Sequence, residues 1–311
     1  MKFEKRLTSK YLIILAHIGA LLSSVFWATS FLSTKVLMEN GGFTPVELFV
    51  YRFALAYIFL LLITFKKIKS NNWKDELTFL VSGICAGSLY FITENYALKM
   101  TTTGNVSLLV STAPLITTFL MALFFKQRVK MGVMIGSMFA IVGVGLIIFS
   151  HGDSLEIRPE GDLLALAASV CWSIYTVAVR RVIPNYTSLV ITRKLFFYGV
   201  VTALPLLLMQ REPYHIDLIF KFNNLQYIFN FLFLVLMCSV IAYVLWNAVL
   251  RILGAERTSN YLYLQPIMTM IAGYIFLGET ILLMGYIGCI LVIIGLIVSD
   301  KWKGSIWFKK K

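Results

Sequence analysis

Ser24-Val25-Phe26-Trp27 and Ser169-Val170-Cys171-Trp172 stand 145 residues apart, each inside a long apolar run, and the same offset pairs Lys35 with Arg180. A second set of correspondences follows at an offset of 152: Asn95 with Asn247, Leu98 with Leu250, Lys99 with Arg251, Ser107 with Ser259 and Pro114 with Pro266. Gln127 with Glu279, Gly136 with Gly288 and Gly143 with Gly295 continue it. The chain therefore reads as a duplication, residues 1–150 followed by residues 151–311, with the seven extra residues taken up in the 210–224 loop. A repeat of this kind fixes which elements belong together before any of them is assigned.

Apolar runs bounded by charge, Gly or Pro predict ten membrane helices, at about 12–34, 46–65, 77–98, 103–125, 131–150, 162–179, 188–209, 225–249, 257–277 and 281–299. Five per half is an odd number, so the second half must enter the membrane from the opposite side. The expected fold is an all-α integral membrane protein built from two inverted five-helix repeats. Two near-equivalent halves of opposite orientation can exchange inward-open and outward-open shapes about a midplane site, which points to transport. The first run follows Lys2, Lys5, Arg6 and Lys10 as a signal peptide would, but its partner in the second half argues that it is retained.

Composition agrees with lipid as the main solvent. Of 311 residues, 59% are hydrophobic and 14% charged, against roughly 45–50% and 25% in soluble domains. With a mean hydropathy of +0.82, so much apolar surface cannot be hidden in one aqueous core. Cys85, Cys171, Cys238 and Cys289 lie in separate apolar runs without CxxC spacing, so neither a disulfide framework nor a metal site is expected. No HExxH, GxSxG or P-loop occurs, which removes the usual hydrolytic and ATP-driven chemistry; no cofactor is expected. The net charge of +13 is sided: with the N-terminus inside, twenty Lys and Arg fall in inner loops and tails and five in outer ones. Both termini are then expected to be cytoplasmic, and the excess charge concerns orientation and headgroups rather than nucleic acid.

Several residues together carry a family resemblance. Trp27 and Trp172 open the two halves, Arg52 follows Thr44-Pro45, Pro114 and Pro266 occupy the fourth helices, Gly278-Glu279 precedes the last helix, and the fifth helices are glycine-rich. In this order and duplication the chain resembles the drug/metabolite transporter superfamily, and within it the EamA-like branch. The resemblance implies a ten-helix bundle of the bacterial cytoplasmic membrane that moves small metabolites, commonly amino acids and often outward.

A polar side chain within a bilayer is costly unless it meets a partner or a wet cavity, so such residues are the site candidates. Ser23, Trp27, Ser30 and Thr34 share one helix face, and Ser169, Trp172 or Ser173, Thr176 and Arg180 form the matching stripe. Tyr90, Glu94 and Asn95 in the third helix correspond to the stretch holding Tyr243, Trp246 and Asn247. Ser111 faces Tyr263 in the alignment, with Gln265 beside Pro266. The expected lining is thus Trp27, Ser30, Tyr90, Glu94, Asn95, Ser111, Trp172, Thr176, Tyr243, Asn247, Tyr263 and Gln265, against an alternative in which these groups only pack helices. Arg52 and Glu94 are candidates for an ion pair or for proton coupling, and Pro114 and Pro266 for hinges. Gly132, Gly136, Gly143, Gly288 and Gly295 allow close helix approach, within the bundle or with a second copy of the chain. His17, His151 and His215 read as isolated loop or interfacial residues. A lining of Trp, Tyr, Asn, Ser and Gln suits amino acids or related zwitterionic and amphipathic solutes, with cationic-drug efflux or nucleotide-sugar-like exchange as the alternative.

Overall fold

Thr44 starts the second long helix with a local capping box. Its hydroxyl accepts the Glu47 N–H at 3.1 Å while the Glu47 carboxylate accepts the Thr44 N–H at 3.1 Å, and Pro45 supplies a preset first turn. Thr187 caps the helix Ser188–Met209 in the second half, accepting from the Val190 N–H. The computed structural model describes residues 2–101, 103–127, 129–149, 158–217, 225–272, 274–275 and 282–302. Gly278, Glu279 and His151 lie outside the described residues, as do Arg128 and Lys221.

Among the described residues, nine helical stretches are long and apolar enough to cross a bilayer: Lys10–Ser30, Pro45–Lys67, Trp73–Ala97, Asn105–Phe125, Met131–Phe149, Pro159–Arg181, Ser188–Met209, Leu225–Leu253 and Leu283–Lys301. The protein is an all-α, multi-pass membrane protein. Leu62, Leu123, Leu208 and Leu283 are each more than two-thirds exposed, a burden that lipid relieves and water does not. The stretch expected at 257–277 is not one continuous α-helix. It is divided into Ala255–Asn260, a 3-10 turn Tyr261–Leu264 and Gln265–Ala272, and then passes partly beyond the described residues.

The chain forms two compact units, each drawing on both halves of the sequence. One comprises Met1–Ile92 and Ala178–Leu253, the other Thr93–Val177 and Gly254–Lys311. The first therefore holds Pro45–Lys67 with its repeat partner Ser188–Met209, and the second holds Met131–Phe149 with Leu283–Lys301.

Within each unit the repeat partners meet as a two-fold axis requires. In the second unit, a Cβ on Gly143 would come within 2.6 Å of the Gly288 carbonyl oxygen, and a Cβ on Gly136 would strike the Gly295 carbonyl. Gly136 corresponds to Gly288 and Gly143 to Gly295, so each glycine of one copy touches the partner of the other glycine. Such reciprocity marks an isologous contact. Small residues let these backbones approach and exchange dispersion contacts that lipid cannot offer. Beside them lies an apolar cluster of Ala140, Val144, Ile147, Ile148, Tyr263, Ile267, Met270 and Val292. In the first unit Phe53 and Phe196, each nine residues after its capping threonine, meet edge to face with ring centroids 4.7 Å apart.

Candidate functional site

Ile84–Ser88 and Leu234–Ile241 wind as π-helix inside the first unit. A π turn holds more than the α-helical number of residues and is rare, yet recurs at functional sites. The 152-residue offset carries 84–88 onto 236–240, so the two halves place this irregularity at the same point. Gly87 departs furthest from helical geometry, at φ −119° and ψ −105°. In each segment the carbonyl at the equivalent position accepts from an aromatic side chain. The Tyr243 hydroxyl donates to Ala86 O at 3.1 Å, and the Trp27 indole N–H donates to Cys238 O at 3.0 Å.

Arg52 lies beside the second of these segments and is only 5% exposed. Its Nε–H donates to Ser239 Oγ at 2.6 Å, while the guanidinium carbon stands 5.1 Å from the Phe53 ring and 5.9 Å from the Phe91 ring. Aromatic faces offset part of the desolvation of a buried cation, by about 2 kcal/mol in favourable cases. The surrounding rings follow the repeat: Phe53 packs on Phe91 at 5.4 Å and Phe196 on Tyr243 at 5.2 Å, Phe91 and Tyr243 being sequence equivalents. Trp27 closes the group, 5.3 Å from Tyr243 and 5.0 Å from Trp246. Asn247, fully buried, donates to Thr192 Oγ1 at 3.1 Å and to Tyr243 O at 2.9 Å. Of the expected site residues, Trp27, Arg52, Tyr243 and Asn247 are thus brought together. Tyr90 stands near them, its ring 5.3 Å from Phe91, and the Ser30 hydroxyl is turned back onto Trp27 O at 2.7 Å.

The remaining candidates belong to the second unit. Pro114 has no N–H for the Val110 carbonyl, and the helix is interrupted at Ser111 and Thr112, between Thr103–Val110 and Ala113–Phe125. Hydroxyls from the helix Pro159–Ala178 fill the gap. Ser169 donates to Val110 O at 3.4 Å and shares a 3.0 Å hydrogen bond with Thr112, and Ser173 donates to Ala113 O at 2.9 Å. At Pro266 the chain uses a different remedy: the Leu262 carbonyl takes the Gln265 N–H in a tighter 3-10 turn. The Ser111 hydroxyl bonds Ser107 O at 2.7 Å, Thr176 bonds Trp172 O at 3.0 Å, and Trp172 packs edge to face on Tyr175 at 5.3 Å. Tyr263 is 1% exposed within the apolar cluster described above, whereas Gln265, Glu94 and Asn95 are half-buried.

Sequence reading missed one cluster. Glu47 is completely buried, and beyond its capping bond it accepts the His215 N–H at 2.7 Å, lies 3.2 Å from His215 Nδ1 and takes the Tyr51 hydroxyl at 3.4 Å. His215 is therefore not isolated. The capping pattern Thr44-x-x-Glu47 was a usable local signal; a partner 168 residues away left none. Among the described residues no group of three or more His, Cys, Asp or Glu is arranged to hold a metal ion.

The pattern of the EamA-like transporter family matches residues 14–149 and again residues 159–299. An uncharacterized transporter of Clostridium kluyveri is 27% identical over 292 residues, covering 91% of this chain and 92% of its own length. The uncharacterized transporter YyaM of Bacillus subtilis is 28% identical over 288 residues, covering 89% and 90%. A probable terminal-alkyne amino-acid exporter of Streptantibioticus cattleyicolor is 25% identical over 282 residues, covering 90% and 91%. One solved crystal structure superposes with a TM-score of 0.74 at 18% identity, over 92% of this chain and 96% of that one, a likeness of fold alone.

Proposed function

The chain belongs to the EamA-like transporter family, and on that premise we propose that it is a secondary carrier, not an enzyme, that exports amino acids or related zwitterionic solutes by alternating access. In this reading ten spans form two inverted repeats, residues 1–150 and 151–311, with both termini cytoplasmic. Trp27, Tyr90, Glu94, Asn95, Trp172, Tyr243, Asn247 and Gln265 contribute to the lining, and the interruptions at Pro114 and Pro266 flex during exchange.

The observation that carries the substrate class is Arg52, a buried cation among Phe53, Phe91 and Ser239 beside a π segment. A guanidinium is the side chain whose planar fork best matches a carboxylate, so a solute that bears one suits this place. The probable terminal-alkyne amino-acid exporter among the relatives supports the same class. The aromatic rings alone are compatible with cationic compounds, which makes cationic efflux the second reading.

Counterflow in proteoliposomes, against a panel of amino acids, nucleosides and cationic dyes with and without a pH gradient, tests this. Saturable, trans-stimulated flux of at least one amino acid is the expected result. Flux of dyes alone would select the second reading, and flux of neither would remove both.

A further inference from the structure

Where Pro45–Lys67 and Ser188–Met209 meet the loop before Trp73, the first unit contains a cavity of about 610 Å³. That volume suits a ligand of many heavy atoms rather than a bare inorganic anion. Its floor is apolar, formed by Tyr57, Leu61 and Phe197, with the Tyr57 and Phe197 rings 5.5 Å apart. Tyr57 and Leu61 lie inside the apolar span Pro45–Lys67, and Ile68 and Lys69 just beyond its end, so the lining runs from the span past its end. At its rim stand Lys69 and Trp73, the latter 70% exposed as tryptophan is at membrane interfaces.

The polar wall is fixed rather than mobile. Arg193, 2% exposed, donates to Thr64 O at 2.7 Å, to Thr64 Oγ1 at 2.8 Å and to Lys67 O, which places its charge at the carbonyl end of the neighbouring helix. Lys194 lies 2.8 Å from both carboxylate oxygens of Glu76, and the Tyr198 hydroxyl donates to the same carboxylate. The loop is clamped by Tyr186, whose hydroxyl accepts the Asn71 N–H at 2.6 Å and donates to Asp75 at 2.9 Å. Burial, together with the Asp75 carboxylate that accepts its proton, pushes the Tyr186 hydroxyl above the usual tyrosine range, so this clamp persists at neutral pH. With Lys194 neutralising Glu76, the lining keeps the positive charges of Arg193 and Lys69. Lys69 is exposed at the rim and makes neither ion pair nor hydrogen bond among the described residues.

We propose that this cavity binds an anionic phospholipid, its phosphate against Lys69 and the Arg193 side of the rim, and one acyl chain along Tyr57, Leu61 and Phe197. A basic rim above an apolar slot at the end of a membrane span matches a molecule with an anionic head and an apolar tail. Ile58 and Leu62, exposed at 50% and 71% on the same helix, leave a lipid-facing flank through which a chain can enter.

The test uses the full-length protein in detergent micelles, with retained phosphatidylglycerol and phosphatidylcholine compared by native mass spectrometry. Wild type is expected to retain phosphatidylglycerol preferentially. Lys69→Gln should lower that retention about fivefold, the effect of one cation at an anionic surface. Leu61→Trp, which fills the floor without changing charge, should lower it too, while Lys99→Gln leaves it unchanged. Equal retention of the two lipids by wild type overturns the proposal. So does a loss in Lys69→Gln without one in Leu61→Trp, which would mean surface charge alone. Displacement of the lipid by equimolar glycerol 3-phosphate also overturns it, in favour of a soluble phosphate compound.

Discussion

Arg52 Nε and Ser239 Oγ, 187 residues apart in the chain, lie 2.6 Å from each other in the interior of the first unit. Ser239 is at once held by Leu234 O, so the guanidinium is fastened to the π segment and not merely near it. Ser239→Ala removes the acceptor of the buried Arg52 Nε–H, at a cost of about 1–3 kcal/mol. Arg52→Lys should cost a similar amount, because a lysine cannot keep the planar donor at that angle. Thermal melts of both variants in the same detergent measure this; unchanged melting in both would mean the bond carries no stability.

Gly136 and Gly145 occupy one helix but different surroundings. A Cβ at Gly136 meets the Gly295 carbonyl and Ser299, whereas one at Gly145 meets nothing within 4 Å. Gly136→Leu should therefore force the paired helices apart and destabilise by about 1–3 kcal/mol or more. Gly145→Ala should stay within about 0.5 kcal/mol of wild type. Paired melting curves decide it.

Glu47→Gln removes the carboxylate that receives the His215 N–H and faces the His215 ring. The amide of His215 should then exchange with deuterium at least about tenfold faster, an opening cost lowered by about 1.4 kcal/mol. Hydrogen exchange resolved at peptide 210–217 is the measurement, with the amides of Ser188–Met209 as the unaffected reference.

Pro114→Ala restores an N–H to the Val110 carbonyl and makes the Ser169 donor redundant. If this interruption flexes during exchange, the variant should melt higher and turn over several-fold more slowly in counterflow. Pro205→Ala, at an exposed proline inside Ser188–Met209, should leave the rate alone. Equal rates in both variants would remove the hinge from the mechanism.

The helical membrane architecture was legible because it depends on one-dimensional signals. Apolar length marks a span, Thr44-Pro45-x-Glu47 marks its start, Pro114 marks a break, and glycine spacing marks the faces of close approach. What stayed hidden depends on partners distant in sequence. His215 carries no local sign of Glu47, and nothing about Ser169 announces the carbonyl that Pro114 leaves open. The π segments were invisible for another reason: their residues, Ile84 to Ser88 and Leu234 to Ile241, have ordinary membrane-helix composition, so no residue type marks the extra residue in the turn. Of the site, the residue types and the shared lining of Trp27, Tyr243 and Asn247 were foreseeable, but the bonds of Trp27 to Cys238 O and of Tyr243 to Ala86 O, one on each π segment, were not.

Those turns also say where the chain tolerates a change of length. Each residue of an α-helix advances the face by about 100°, so deleting one in the middle of a span rotates everything beyond it out of register. Within 84–88 or 234–241 the surplus residue is already present, and losing one returns the turn to the α form while the flanking faces keep their neighbours. In a protein whose two halves must continue to match, these windows are where either copy can lose a residue without losing its fit.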